Sequence, residues 1–219
     1  MGFLMRGALI EYGSDFLGPI PNIVIFQFNP ETLSRTIKIP SRPNHDRDKN
    51  PSQAGDPPTE QITLKASFSA ADEMDKDKFL ARQFGVGTRL AALEKMAHPL
   101  GQDSNVIGAA LSQAIGLGSG GTKQPIPPET YPRILFIWGK YRVLPVIIES
   151  MSITEQQYDY SLNPVQAEVS ITMSVNSVGL SSNDKIGSGA LDYSNLAKET
   201  QALANLATTV EQAAELIPF

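Results

Sequence analysis

From Val165 to Asn176 the chain reads V-Q-A-E-V-S-I-T-M-S-V-N, with every odd position apolar and every even one polar. A helix would repeat its apolar side chains every three to four residues. Strict alternation instead demands a strand with one face in a core and the other in water. Beyond Glu168 the wet face carries short hydroxyls, Ser170, Thr172 and Ser174, until Asn176 ends it. A second segment, Gln61 to Ala70, repeats the pattern: Ile62, Leu64, Ala66 and Phe68 point one way, Thr63, Lys65, Ser67 and Ser69 the other. Any fold for this chain must cover one side of these strands and leave the other open to water among small polar groups.

The remaining segments supply partners for that sheet. Residues 4–12 read as a short strand weakened by Gly7, and I-V-I-F-Q-F from Ile23 is rich in β-formers. Leu33 to Ile39 alternates, with Ser34, Thr36 and Lys38 on its wet side. Arg133 to Gly139 is an apolar strand, and Tyr141 to Gln157 follows after a tight turn, with Pro145 implying an edge or a bulge. Residues 71–98 switch to helical spacing. Phe79, Leu80 and Phe84 form one cluster and Leu90, Leu93 and Ala97 another, with Gly85 and Gly87 between, so two short helices or one broken helix are expected, with Asp72 as a ready N-cap.

Two stretches cannot be core. Residues 40–59 hold prolines and charges without a large apolar side chain, and residues 99–128 are rich in Gly, Ser and Ala; both read as long exposed loops, the first ordered only by a partner. The expected organisation is a β domain over 1–177, a polar linker over 178–190 and an amphipathic C-terminal helix over 191–219. Leu196, Leu203, Leu206, Val210 and Ile217 form its apolar stripe, a candidate partner-docking face, and Ser194 or Asp192 its cap. The fold class is α+β, mainly β, with long loops and the C-terminal helix.

Chemistry is sparse. The net charge is −5, so there is no global basic footprint for nucleic acid. There is no cysteine, which removes disulfides, thiolate metal sites and thiol nucleophiles together. Of the two histidines, His45 lies in the polar loop beside Asp46 and Asp48, and His98 reads as a helix C-terminal residue; neither has partners for a metal site or a triad. Asp72, Glu73, Asp75 and Asp77 alternate with lysines at a helix start, where carboxylates favour the helix dipole. Gly116, Gly118 and Gly121 meet a G-x-G-x-x-G spacing, but without the strand before and the helix after that phosphate binding needs. Trp138 reads as core, whereas Tyr158 and Tyr160 read as an interface. No catalytic residue, cofactor site or metal site is expected. The N-terminus has no signal-peptide pattern and no run reaches the roughly 20 apolar residues of a membrane span. A soluble chain assembled in the cytoplasm, without membrane insertion, is therefore expected.

The order of several segments carries a resemblance. F-Q-F-N-P-E-T-L-S-R at 26–35, P-R-I-L-F-I-W-G at 132–139, V-I-I-E-S-M-S-I-T at 146–154 and the Asn163-Pro164-Val165-Gln166-Ala167 approach to the last strand resemble the tube proteins of contractile injection systems. The chain is similar in particular to the tube-initiating baseplate adaptors, whose relatives usually carry a C-terminal LysM module. The resemblance covers about residues 1–177; after it comes the 191–219 helix with no LysM pattern. It implies a phage tail-tube-like fold, two sheets packed as a barrel or sandwich with a flanking helix, and a ring of six copies between the spike-bearing hub and the inner tube. The partners implied are the inner-tube protein, the spike or hub protein and baseplate wedge components. In such a ring Thr63, Ser67, Ser69, Ser170, Thr172 and Ser174 would line the channel. Competing readings are the main inner-tube protein of the same machine, a β-sandwich module binding glycan or peptide, and an enzyme without a recognisable motif.

Overall fold

The computed structural model describes residues 5–12, 22–40, 58–98, 132–176 and 184–216. Most of the 40–59 loop, with His45, and all of the 99–128 segment, with its glycines, lie outside the described residues, as does Ile217. In chain order the described elements are β1 (Ala8–Tyr12), β2 (Ile23–Ile25), β3 (Leu33–Lys38), β4 (Thr59–Ser69), α1 (Ala71–Asp75), α2 (Phe79–Phe84), α3 (Gly87–Ala97), β5 (Arg133–Trp138), β6 (Arg142–Tyr158), β7 (Pro164–Val175) and α4 (Lys185–Leu216). The class is α+β, mainly β.

The expectation of two packed sheets is corrected. All seven strands belong to one antiparallel sheet in the order β2-β1-β5-β6-β7-β4-β3. The reason is β6, whose 17 residues serve both halves: its start pairs with β5 from Arg142 to Val146, and its remainder pairs with β7 from Val146 to Tyr158. Pro145 is tolerated mid-strand because its nitrogen faces the β7 side just past the last β7 pair, where its carbonyl accepts Asn176 N–H at 2.9 Å. The irregularity lies further on, as a bulge between Ile148 and Ser150.

This sheet is curled. Flat, it would hold β2 and β3 about 29 Å apart, six strand spacings. That is the whole reach of the chain from Ile25 to Leu33, even drawn straight. The ends meet instead: Ser69 N–H, at the end of β4, donates to Gln27 Oε1, just beyond β2, at 2.9 Å. Inside the curl Phe26, Phe68, Phe136, Leu9, Ile62, Leu64, Leu144, Ile171 and Met173 are fully buried, together with Leu93 and Met96 of α3. Each such side chain contributes about 1.5–3 kcal/mol of burial free energy. Gly7 is a requirement of this packing rather than a weakness in β1, because a Cβ there would stand 2.7 Å from the Trp138 ring and 2.8 Å from Phe26.

The helical region is three segments rather than two. Asp77 and Gly85, both at φ 56°, break it, and Ala70 rather than Asp72 occupies the N-cap of α1. At Gly85 any Cβ would fall 2.0 Å from the Pro164 carbonyl oxygen, which also accepts Val86 N–H at 2.8 Å. This contact seats the α2–α3 corner on the start of β7.

The linker expected over 178–190 is also corrected at its end, because α4 already begins at Lys185. Asp184 caps it: Oδ1 accepts Gly187 N–H at 2.9 Å and the carbonyl accepts Ser188 N–H at 3.1 Å. Tyr12 OH donates to Asp184 Oδ2 at 2.9 Å. The helix then lies against β6, and the expected capping residue Ser194 does a different job. Its buried hydroxyl donates to Val143 O at 2.7 Å and accepts Val143 N–H at 2.9 Å. Ser194 thus satisfies β6 where β7 no longer reaches it.

Candidate functional site

The two alternating strands are neighbours, and their small side chains form ordered rows. The register sets Thr63 beside Thr172, Lys65 beside Ser170, Ser67 beside Glu168, Gln61 beside Ser174 and Ser69 beside Gln166. The Thr63 and Thr172 hydroxyl oxygens are 3.3 Å apart. The rows extend onto β3, whose alternation is plain in the sequence, and onto β6, whose part in this face is not. Across β3, β4, β7 and β6 the Ser34, Thr63, Thr172 and Ser150 side chains share one row; Ser152 continues the Ser170 row and Thr154 the Glu168 row. The alternation S-M-S-I-T at 150–154 was the available signal, masked by Pro145 and the bulge.

Of the six residues expected to line a channel, Thr63, Ser67, Ser170, Thr172 and Ser174 stand together on this face. Ser69 sits at its rim, where its hydroxyl accepts Ala71 N–H at 3.3 Å and is drawn toward α1. The charges within these rows, Lys65 and Glu168, pair at 3.2 Å while both remain well exposed, an arrangement that contributes little stability. At one end of the face Gln61 Nε2 donates to Glu149 on the β6 bulge. A shallow cleft of about 280 Å³ opens there among Lys38, Glu60, Glu149 and Ser174.

Both margins of this four-stranded face are open edges. Ala70 N–H donates to Val165 O at 2.8 Å, so odd-numbered β7 residues address β4 and even-numbered ones address β6. Gln156 and Thr154 therefore face β7, and Ile153 and Glu155 direct their backbone groups outward. No described strand pairs with β6 there, because β5 ends its pairing at Val146. On the other margin Ser34, Thr36 and Lys38 face β4. Leu33, Arg35 and Ile37 direct their backbone groups outward, again without a described strand partner.

The apolar stripe of α4 is split by the body of the molecule. Up to Lys198 the helix is docked: Tyr193 OH donates to Lys140 O at 2.7 Å, and Lys198 Nζ lies 3.3 Å from Glu60 Oε2. Beyond it Leu203 and Leu206 are exposed at 68% and 59%, and Leu196, on the outer side of the docked part, at 63%. The Val210 side chain and Ile217 lie outside the described residues. Glu60 anchors the docked half. Burial works to raise its pKa, but the Arg35 hydrogen bond at 2.6 Å and the Lys198 charge outweigh it and hold the carboxyl below its ordinary value. At the cap, burial and the bond to Asp184 push the Tyr12 phenol upward.

The β6–β7 hairpin tip is stapled by Asp159, whose carboxylate accepts Ser161 N–H, Asn163 N–H and Asn163 Nδ2–H at 2.7–2.9 Å. The Asn163 side chain is the main cause of a lowered Asp159 pKa. This tip holds Tyr160 fully exposed, with Tyr158 half exposed beside it. Trp138 is half-buried against the core and stacks on Phe136 with ring centres 5.9 Å apart.

Among the described residues there is no group of three or more His, Asp or Glu placed to hold a metal. No described helix is long and apolar enough to cross a membrane. No protein-family model matches the chain, and no curated protein matches it.

Proposed function

We propose that the chain is a structural ring-former, the tube initiator or adaptor of a contractile injection system, with a phage tail-tube-like fold and no catalysis. The observation that carries this reading is the pair of open edges flanking a four-stranded hydroxyl face. Because that unit has an even number of strands, a rotated copy brings its β6 antiparallel to β3, and the alternation of direction continues around a ring. Head-to-tail contacts of this kind close when the rotation divides the circle. The edges also differ in sign: β3 carries Arg35 and Lys38, whereas the outer part of β6 carries Glu149 and Glu155.

Six copies would join roughly twenty-four strands, beyond the 16–18 at which barrels already leave a water-filled channel. The apolar side of the sheet is covered by the chain's own β1, β2, β5 and α3, so the hydroxyl side is the one available to face the axis. Small neutral side chains there neither obstruct nor bind a passing cargo. The exposed Leu196, Leu203 and Leu206 stripe would meet a baseplate component outside the ring, and the rims would meet the inner tube and the hub.

Electron microscopy of the purified chain, alone and with the products of the genes that neighbour its own, tests this reading. Six-membered rings with an open centre are expected. Monomers under every one of these conditions would refute it. The main inner-tube protein remains the second reading within the same machine, but a projecting α4 would obstruct a sheath sliding along a repeating tube.

A further inference from the structure

A third open edge lies away from the hydroxyl face. Among the described strands β2 pairs only with β1, and Phe26 N–H to Gly7 O and Glu11 N–H to Asn22 O, at 2.9 and 2.8 Å, fix its phase. Asn22, Val24 and Phe26 thereby address β1, so Ile23 and Ile25 direct their N–H and C=O groups away from it. Their side chains are also about half exposed, at 48% and 54%. The edge opens into a cleft of about 530 Å³ between β2 and the α1 and α3 helices. Asn22 Nδ2 to Ala92 O, at 2.7 Å, holds the middle of α3 beside the start of β2, and Arg89 to Gln27 Oε1, at 3.1 Å, holds its first turn beside the residues that follow β2.

The cleft has a definite charge. Arg6, Lys76, Lys78 and Arg89 line it against Asp72 and Glu73. Glu73 is engaged by Arg89 at 2.7 Å and by Lys78 at 3.7 Å, whereas Arg6 and Lys76 have no ion-pair partner among the described residues. An edge strand with exposed isoleucines, overlooked by uncommitted cations, fits one kind of occupant.

We propose that this cleft is a docking groove for an extended acidic segment of a partner protein, which adds to β2 as a further strand. Its backbone would pair with Ile23 and Ile25, its apolar residues would cover their side chains, and its carboxylates would meet Arg6 and Lys76. The groove uses neither β3 nor the outer part of β6, so it stands independently of ring formation.

The test is fluorescence anisotropy of the full chain with a labelled ten-residue peptide alternating valine and glutamate, and with its lysine-for-glutamate counterpart. Saturable, salt-weakened binding of the acidic peptide alone is expected, with slowed amide exchange at Ile23 and Ile25. Ile25→Pro removes an outward N–H that β1 does not use and should abolish binding while thermal unfolding stays near wild type. Arg6→Glu combined with Lys76→Glu should weaken binding roughly tenfold. No saturable binding, equal binding of both peptides, or binding indifferent to either variant would overturn the proposal.

Discussion

The two halves of β6 are one strand in two settings. From Arg142 to Val146 it has β5 on one side and α4 and β7 on the other, and Leu144, Pro145 and Val146 are buried. From Ile147 to Tyr158 β7 is its only partner strand among the described residues, and most of its side chains are exposed. Nothing in the local sequence weakens the second half: Ile148, Met151 and Ile153 are as suited to a strand as Val143 and Val146. The difference comes from neighbours. The inner half is enclosed by neighbours on both sides, and the outer half has one edge with no partner strand among the described residues.

That contrast can be broken by truncation. Leu144→Ala should cost about 2–5 kcal/mol in denaturant unfolding, as for other fully buried leucines. Ile153→Ala, at a half-buried position, should cost under half of that. Equal losses would mean the outer half is as closed as the inner. Next in size is Ser194→Ala, which leaves Val143 N–H and C=O without their shared partner at the covered edge. A loss of about 1–3 kcal/mol is expected, with faster amide exchange at Val143.

Acid sharpens the same boundary more gently. Because the Glu60 pKa is lowered in the folded chain, its contribution is present above its ordinary value of 4.5 and is lost as pH falls through the folded value. Below pH 4.5 the Lys198 contact should loosen before the core melts, read as helix α4 losing exchange protection ahead of β4. Glu60→Gln should reproduce the looser helix at neutral pH and remove that acid step. Tyr12 runs in the opposite direction: its raised pKa makes a contribution present below about pH 10 and lost above it, so Tyr12→Phe should flatten alkaline destabilisation. The smallest effect is expected from Glu155→Pro, which removes an outward N–H that β7 does not use. The stability of the lone chain should shift by less than about 1 kcal/mol, while ring formation is lost.

The faces of β4 and β7 were legible because alternation is a local property, and both lie where Thr63, Thr172 and their neighbours indicated. Sheet continuity was not, since Pro145 looks like a break until its position beyond the last β7 pair is known. The start of α4 was hidden because Gly187 and Gly189 have low helix propensity; the Asp184 cap and the contacts to β6 override it. Ser194 illustrates the same limit, because a serine near a helix start reads as a cap until Val143, fifty-one residues away in the chain, claims it. The edges were beyond reach for a general reason: a strand's missing partner is a fact about the other strands.

The most direct test joins the two margins chemically. The chain has no cysteine, so no native thiol of its own competes with cysteines introduced at Arg35 or Ile37 on β3 and at Ile153 or Glu155 on β6, and the two single-cysteine variants show how much bridging joins like positions. Under mild oxidation, with the proposed inner-tube and spike partners present, at least one pairing should give a reducible ladder of bands ending at a closed ring. If every pairing leaves only single chains while those proteins assemble normally, the two margins do not meet and the account fails.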